Sequence, residues 1–538
     1  LKKRKLLILA VVSVLMAFSI LAGCSGNSSS GTAQNAVLNL EVGSEPPSLD
    51  PPKGFDSVSF DILNNVMEGL TRLDKNHEPQ PAMAEKWEIS PDKKTYTFTL
   101  RDSKWSNGDP VTAHDFEFAW KRMLDPNNAF PSAFLGHYIE GAEAYNSGKG
   151  SVDDVKVKAL DDKTLQVTLR APTGFFLDLV STPSFFPVHK ATVEKNKNWS
   201  ADAPTILSNG PFVLKEWKHD QSLKAVKNEN YWDKDAVKID EVNWSIVAEI
   251  NTAYQMYQTN QLDAIEQVPP DLKKRLLDSG EAKSIPEASI YYYRMNTKME
   301  PFQNKNIRKA FALAIDRKLL VEQVVQGGQT PALAHVPPGF KEPDGKDFRE
   351  TGGNYIEDNN VAKAKELLEK GMKEEGYTTL PPVTMTYNTS EAHKVIAEAL
   401  QQMYKKNLGV DVKLENKEWK VFLAEQRARK LQFSRSTIPA DYADPLNYLE
   451  LYQTDHPGNR VNYSNKEYDA LVKKITQTAD EKERFQLMHK AEEIFMEDMP
   501  LVPIYFGKKT FMEKPHVTGI VRHPVGNREL KWAQITKK

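Results

Sequence analysis

Residues 383–416 contain VTMTYN, then EAHKVIAEALQQMYKKNLG, then VDVKLEN. Short runs rich in β-branched residues flank a longer segment with helical spacing that closes on a glycine. The pattern predicts a strand, a helix and a second strand. Strands joined through a helix lie parallel, and the crossover between them is right-handed. The class is therefore α/β, a sheet with helices packed on it. A chain of 538 residues is too long for one compact core, and at ~150 residues per domain it divides into several.

The same two periods give further elements. AVLNLEVG at 36–43 alternates as a half-buried strand does, and WEISPDKKTYTFTLR at 87–101 and VKALDDKTLQVTLR at 157–170 predict hairpins. Thr112, with Asp115 three residues on, forms a capping-box start for the helix AHDFEFAWKRML. IYYYRMNT at 290–297 and PLVPIYF at 500–506 predict strands. NKNIRKAFALAIDRKLLVEQVVQGG at 304–328 reads as a helix stopped by Gly327 and Gly328.

The N-terminus is a different kind of sequence. LKKRK is followed by the uncharged, apolar LLILAVVSVLMAFSILA, then by LAGC at 21–24 and the polar SGNSSSGTAQN. An apolar run of this length also suits a retained membrane helix. The only cysteine of the chain, Cys24, decides between the two readings. Leu-Ala-Gly-Cys resembles the bacterial lipobox, which implies a signal peptide over 1–23, cleavage before Cys24 and lipid attachment to its thiol. Residues 24–35 are expected to be a flexible tether. Loss of Lys2, Lys3, Arg4 and Lys5 leaves 67 basic against 73 acidic residues, a balance that recruits no nucleic acid. The expected location is the outer face of a cell membrane.

Catalytic motifs are missing. There is no HExxH, no GxSxG and no GxxxxGK[ST], the mature chain offers no spare thiol, and the eleven histidines stand singly. The sequence gives no reason to expect an enzyme, a metal or a cofactor. A tethered body rich in aromatic residues, without catalytic apparatus, suits a protein that captures solute.

Several blocks then become recognisable in order: SEPPSLDP, MEGLTRLD, KWSNGDPVTAHDFEFAWKRMLDP, LSNGPFVLKEW, NYWD, YYYRMNT, PFQNKNIRKAFALAIDR, KEWKVF and DYADPLNYLE. Together they resemble the oligopeptide-binding proteins of bacterial ABC importers, extracellular solute-binding family five, of Gram-positive type. The resemblance covers residues 36–538. It implies a two-lobed, periplasmic-binding-protein-like (Venus flytrap) α/β fold with an extra subdomain. Residues 36–60, 204–292 and 512–538 would form the first lobe's core, 61–203 the inserted subdomain and 293–511 the second lobe. Two hinge strands would cross near 291–294 and 506–511. The implied partners are a peptide ligand and the membrane permease subunits, with the receptor itself a monomer. A signalling, modified or cell-wall peptide, an opine, a sugar or nickel remain alternative ligands.

The stretch RSTIPADYADPLNYLELY at 435–452 holds two aspartates. Asp444, before Pro445, suits a helix N-cap. Asp441 has no such task and is free to face a ligand; the resemblance implies that it pairs with a peptide ammonium. The resemblance also places Arg435 and Trp419 in the same pocket and sets Glu45 near the ligand's N-terminal half. Arg435, after an apolar strand, would either bridge to an acidic side chain or bind a ligand carboxylate, and Trp419 would pack in the core or contact the ligand. Tyr291, Tyr293 and Tyr505 are candidates to bury a ring while bonding ligand backbone. Pro439 departs from the family pattern, because a residue with an N–H is usual there and proline has none.

Overall fold

The computed structural model describes residues 35–536. The expected signal peptide, Cys24 and the tether up to residue 34 lie outside the described residues.

Three sheets organise the chain. In the first, Val37–Val42 runs parallel to Glu241–Ile246, and Ser222–Lys227 and Phe212–Lys218 extend it antiparallel. Leu38 and Leu40 are fully buried, as the alternation predicts, but Glu41 is buried too. The second sheet, Ala84–Ile89, Thr95–Leu100, Thr164–Thr168 and Val157–Asp161, is antiparallel throughout and contains both predicted hairpins. Tyr96, Phe98 and Leu100 point into its core while the intervening threonines stay half-buried. Helix Ala113–Leu124 packs on this sheet, and its capping box is closed by the Thr112 N–H donating to Asp115 at 3.0 Å.

The third sheet has seven strands. Its main order is Ala264–Ile265, Leu501–Glu513, Lys283–Met295, Phe433–Pro439, Val383–Asn388, Val412–Lys417, with Thr330–Pro331 added to Leu501–Glu513. The predicted strand–helix–strand unit is present. Val383 lies opposite Val412 in a parallel pair, helix Glu391–Leu408 connects the strands, and Gly409 ends that helix at φ 71°.

Lys283–Met295 and Leu501–Glu513 are the two long strands of the molecule, 13 residues each. They pair antiparallel along their length, with register shifts between Pro286 and Ile290 and between Tyr291 and Tyr292. At one end they belong to the third sheet. At the other, Glu513 pairs with Ala264, whose neighbour Asp263 donates its N–H to Asn39 of the first sheet at 2.7 Å.

One expected helix is broken. The segment from residue 305 is helical only over Lys305–Leu313; Asp316 caps a short turn, and Leu320–Val325 is wound as a π-helix. The left-handed residue that ends it is Gln326, at φ 53°, rather than a glycine. Arg317 accounts for the break. It is fully buried, and its guanidinium is bound by the Pro503 and Ala312 carbonyls and by Asp358. Satisfying that charge overrides the helical period.

Candidate ligand-binding cavity

A cavity of about 620 Å³ lies between the first and third sheets. Its floor is the pair of long strands, where Tyr291 and Tyr505 stack with ring centroids 4.8 Å apart. One wall is the strand Phe433–Pro439 and the residues that follow it. Beyond Phe433 and Ser434 this strand has no partner on the Val383–Asn388 side, so residues 435–439 present a free edge to the cavity. A free strand edge is a ready site for adding an extended chain.

Arg435 stands on this wall. It donates to Asn388 Oδ1 at 3.0 Å and to Thr437 Oγ1 at 2.7 Å, and lies 5.2 Å from the Tyr291 ring centre. No carboxylate among the described residues pairs with it, and its Nε has no hydrogen-bond partner. His393, 3.3 Å from the Tyr291 hydroxyl, is kept neutral: burial, then the Arg435 charge, press its pKa well below the ordinary histidine range.

Asp441 lies two residues past the strand end. Its backbone N–H donates to Asn447 Oδ1 at 3.1 Å, while its carboxyl faces the cavity with no cation beside it among the described residues. Burial pushes that carboxyl up to about 7, against the opposing effect of the Asn447 amide. Asp444 is turned the other way. It is buried, accepts from the Leu446 N–H at 2.9 Å and pairs with Arg484 at 2.6 Å. The helix it precedes is short, Leu446–Leu449.

The other expected residues divide. Trp419, the first residue of helix Trp419–Arg427, lines the cavity, with an indole N–H that has no partner. Tyr291 and Tyr505 line it as well. Tyr293 does not: it is wholly buried, packed 5.3 Å from Phe433, because the same strand face continues from the cavity into the core. Glu45 is also outside the wall. His219 Nδ1 lies 2.7 Å from its carboxylate and the Asp220 N–H donates to it at 3.0 Å. That carboxylate raises the His219 pKa, chiefly through their hydrogen bond.

Other lining residues carried no sequence signal. Glu41, buried at the break in the first strand's alternation, is pushed up to about 7 by burial. Beside it, Arg522 and Arg528 hold Glu266 at about 2 despite burial. Lys273 is brought down to about 8 by burial. Asp56, Arg294 and Arg460 also line the cavity, as do Asp61, Asp178, Glu287, Lys508, Lys509, His523 and Glu529. Among the described residues no three His, Cys, Asp or Glu side chains converge as a metal site. No described helix is long and apolar enough to cross a membrane.

Side chains from the two sides meet across the cavity mouth. The Tyr138 hydroxyl donates to Glu450 at 2.6 Å, Phe175 stacks on Tyr442 at 4.3 Å, and Arg427 donates to the Phe55 carbonyl at 3.2 Å.

Comparison with known proteins places this geometry. Residues 78–460 match a family described as bacterial extracellular solute-binding proteins, family 5 Middle. The chain is 54% identical over 523 residues to the dipeptide-binding protein DppE of Bacillus subtilis (strain 168), covering 95% of this chain and 96% of that protein. Listeria monocytogenes OppA bound to peptide has the same fold, with a TM-score of 0.88, 34% identity and coverage of 94% and 100% of the two chains. The unliganded open form of the murein tripeptide-binding protein MppA, 32% identical with coverage of 94% and 98%, gives a TM-score of 0.62. The two lobes of this chain thus stand nearer to the peptide-bound arrangement than to the open one.

Proposed function

The chain belongs to family 5 of the bacterial extracellular solute-binding proteins, and we propose that it captures short peptides between its lobes and delivers them to a membrane permease for ATP-driven uptake. One observation carries the reading. A single cavity holds a carboxyl without a cation, Asp441, and a guanidinium without an anion, Arg435, at the two ends of a free strand edge. A peptide offers the complement: an ammonium, a carboxylate and an extended backbone between them. Six positions separate the two residues, at most ~20 Å of extended chain, which suits ligands of a few residues. Tyr291, Tyr505 and Trp419 supply apolar area along that path, Trp419 with an unspent indole donor, and the proposed hinge is the pair of long strands.

Binding from both sides stabilises the closed form, since only that form contacts the ligand with both lobes. In the same reading residues 61–203 are the inserted subdomain, 293–511 the second lobe, and Cys24 carries a lipid that holds a monomeric receptor at the outer face of the membrane. Pro439 favours a second reading within this function. It removes one backbone donor from the free edge, so a modified or cell-wall peptide with fewer backbone acceptors in register would lose less than a plain one.

Native mass spectrometry of the washed, undenatured protein tests the ligand class. A ladder of co-purifying peptides supports the reading, and a single non-peptide mass overturns it. Replacement of Cys24 by serine should release the protein into the medium; retention on the cells would remove the lipid anchor.

A further inference from the structure

The wall of the cavity contains a second uncompensated positive site, away from Arg435. Arg294 and Arg460 both line the cavity. Arg294 is buried, 6% exposed; it donates to Gln426 Oε1 at 2.9 Å, and its Nε has no partner. Arg460 has no hydrogen bond or ion pair from its side chain among the described residues, and its Nε is a buried donor without an acceptor. Burial first, then the charges of Arg294 and Arg427, bring its pKa down to about 9 against a smaller opposing effect of Tyr292 and Tyr452. The third arginine, Arg427, is engaged by the Phe55 carbonyl and lies near Asp56.

Several buried arginines of this chain have acceptors within the protein, although Arg349 also leaves its Nε and one Nη without a partner. Arg308 donates to the carbonyls of Phe302, Gln303, Asp498 and Met499. Arg317 has carbonyls and Asp358, and Arg349 has Glu492 at 2.6 Å. Those side chains find acceptors within the protein, whereas the Arg460 guanidinium, half-buried at the cavity wall, has none among the described residues and is left for an anion from outside. The backbone that presents Arg460 is also fixed in advance. Asn459 ties the loop by donating to the Gln453 and Tyr463 carbonyls at 3.0 and 2.7 Å and by accepting from the Tyr463 N–H at 3.1 Å, while Arg429 holds the Asn459 carbonyl at 2.9 Å.

We propose that Arg460 and Arg294 form an anion subsite for the side-chain carboxylate of an acidic residue in the bound peptide, distinct from the ligand carboxylate taken by Arg435. Arg294 lies opposite Ser434, and Arg435 lies opposite Tyr293, in the same antiparallel pair. The two guanidiniums therefore leave the sheet on opposite faces. One ligand group cannot serve both, so the receptor prefers peptides that carry one acidic side chain in addition to their terminal carboxylate. The inference rests on the peptide reading above.

The test is calorimetric titration of the purified protein with six tripeptides: Glu-Ala-Ala, Ala-Glu-Ala and Ala-Ala-Glu, and the three with glutamine in place of glutamate. At one position the glutamate peptide should bind at least about tenfold more tightly than its glutamine counterpart, the scale of a charge-assisted bond. Arg460→Gln should bring that ratio near one, and circular dichroism with thermal unfolding checks that the variant is folded. Arg460→Lys should retain part of the preference. Equal affinities within every pair, or a preference that survives Arg460→Gln, overturns the subsite and leaves the peptide reading standing. Failure of all six to bind overturns both.

Discussion

Tyr138 and Glu450 meet across the cavity mouth, the tyrosine hydroxyl donating to Oε2 at 2.6 Å while Tyr442 donates to Oε1 of the same carboxylate at 2.6 Å. Tyr442 lies close to Glu450 in sequence, whereas Tyr138 comes from the opposite side of the cavity. Tyr138→Phe therefore removes a bond that exists only when the two sides are together. A hydrogen bond to a charged group contributes about 1.5–3 kcal/mol, so peptide affinity should fall about tenfold or more, mostly through faster release. Stopped-flow release rates check this, and a Kd within about twofold of the parent would show that the contact does not hold the closed form.

Asp441→Asn should weaken free-amine peptides far more than N-acetylated ones. Truncating one partner of a buried, hydrogen-bonded charge pair costs about 2–5 kcal/mol, roughly 30-fold or more in affinity. The acetylated peptide has no ammonium to lose. Parallel titrations of both peptides decide the matter, and an equal loss for the two would remove Asp441 from the anchoring role.

The carboxyls of Asp441 and Glu450 both stand at about 7 in this arrangement of the lobes, raised by burial, with Glu450 moderated by its two tyrosines. Opening returns them to water and to the ordinary carboxylate range. Between about pH 4 and 7 the closed form thus holds more protons than the open form, and empty closure becomes easier as pH falls through 7. Small-angle scattering of the ligand-free protein should show a compact shift from pH 8 to pH 6. Asp441→Asn should be more compact at pH 8 and less sensitive to pH. An ammonium from the ligand removes the burial cost at Asp441, so above pH 7 this residue opposes closure on an empty cavity.

Asp444 and Arg484 form a buried pair at 2.6 Å, the arginine held further above its usual range by that carboxylate despite burial. Asp444→Ala leaves the guanidinium only the more exposed Glu481 carboxylate, at 3.1 Å, and should destabilise the fold by about 1.5–3 kcal/mol, the scale of a hydrogen bond to a charged group. Denaturant unfolding measures this. A loss below about 1 kcal/mol would mean that water replaces the carboxylate.

Pro439→Ala tests the free edge. The Ala440 N–H points to the Ala288 carbonyl at 2.8 Å, so the amide of position 439 falls on the opposite, cavity-facing edge. A donor restored there should tighten unmodified linear peptides by about 0.5–1.5 kcal/mol. Unchanged affinity would show that the bound peptide does not follow this edge.

The sequence made the sheet architecture readable where one period governed a segment. The hairpins at 84–100 and 157–168, the strand–helix–strand unit at 383–417 and the capping box at Thr112 all form as predicted. Proline and helical spacing mark Asp444 for a local role, and its carboxylate does accept from the Leu446 N–H, but the N-cap of Leu446–Leu449 is Pro445, and the pairing of Asp444 with Arg484 left no mark in the sequence. Period alone could not show where Arg317 breaks a helix, since the cause is a carboxylate 41 positions away. Nor could it tell Tyr291 from Tyr293, which share a strand face and differ only in how far the cavity extends along it. Arg294 and Arg460 come from a strand and a loop more than 160 residues apart. What sets them aside is the missing anion, which becomes visible only once every neighbouring group has been placed.

The register shifts in the two long strands bear on how fast such a receptor can work. Ladder pairing is interrupted between Pro286 and Ile290 and resumes on either side, and proline has no backbone donor to give up. A bend at that point breaks few backbone bonds. With the proposed hinge there, the lobes would part and rejoin without melting secondary structure, and the barrier to letting a ligand go would be set by the contacts around the peptide. Turnover at the membrane would then be governed by whatever loosens those contacts, with the spine acting as a spring of little resistance.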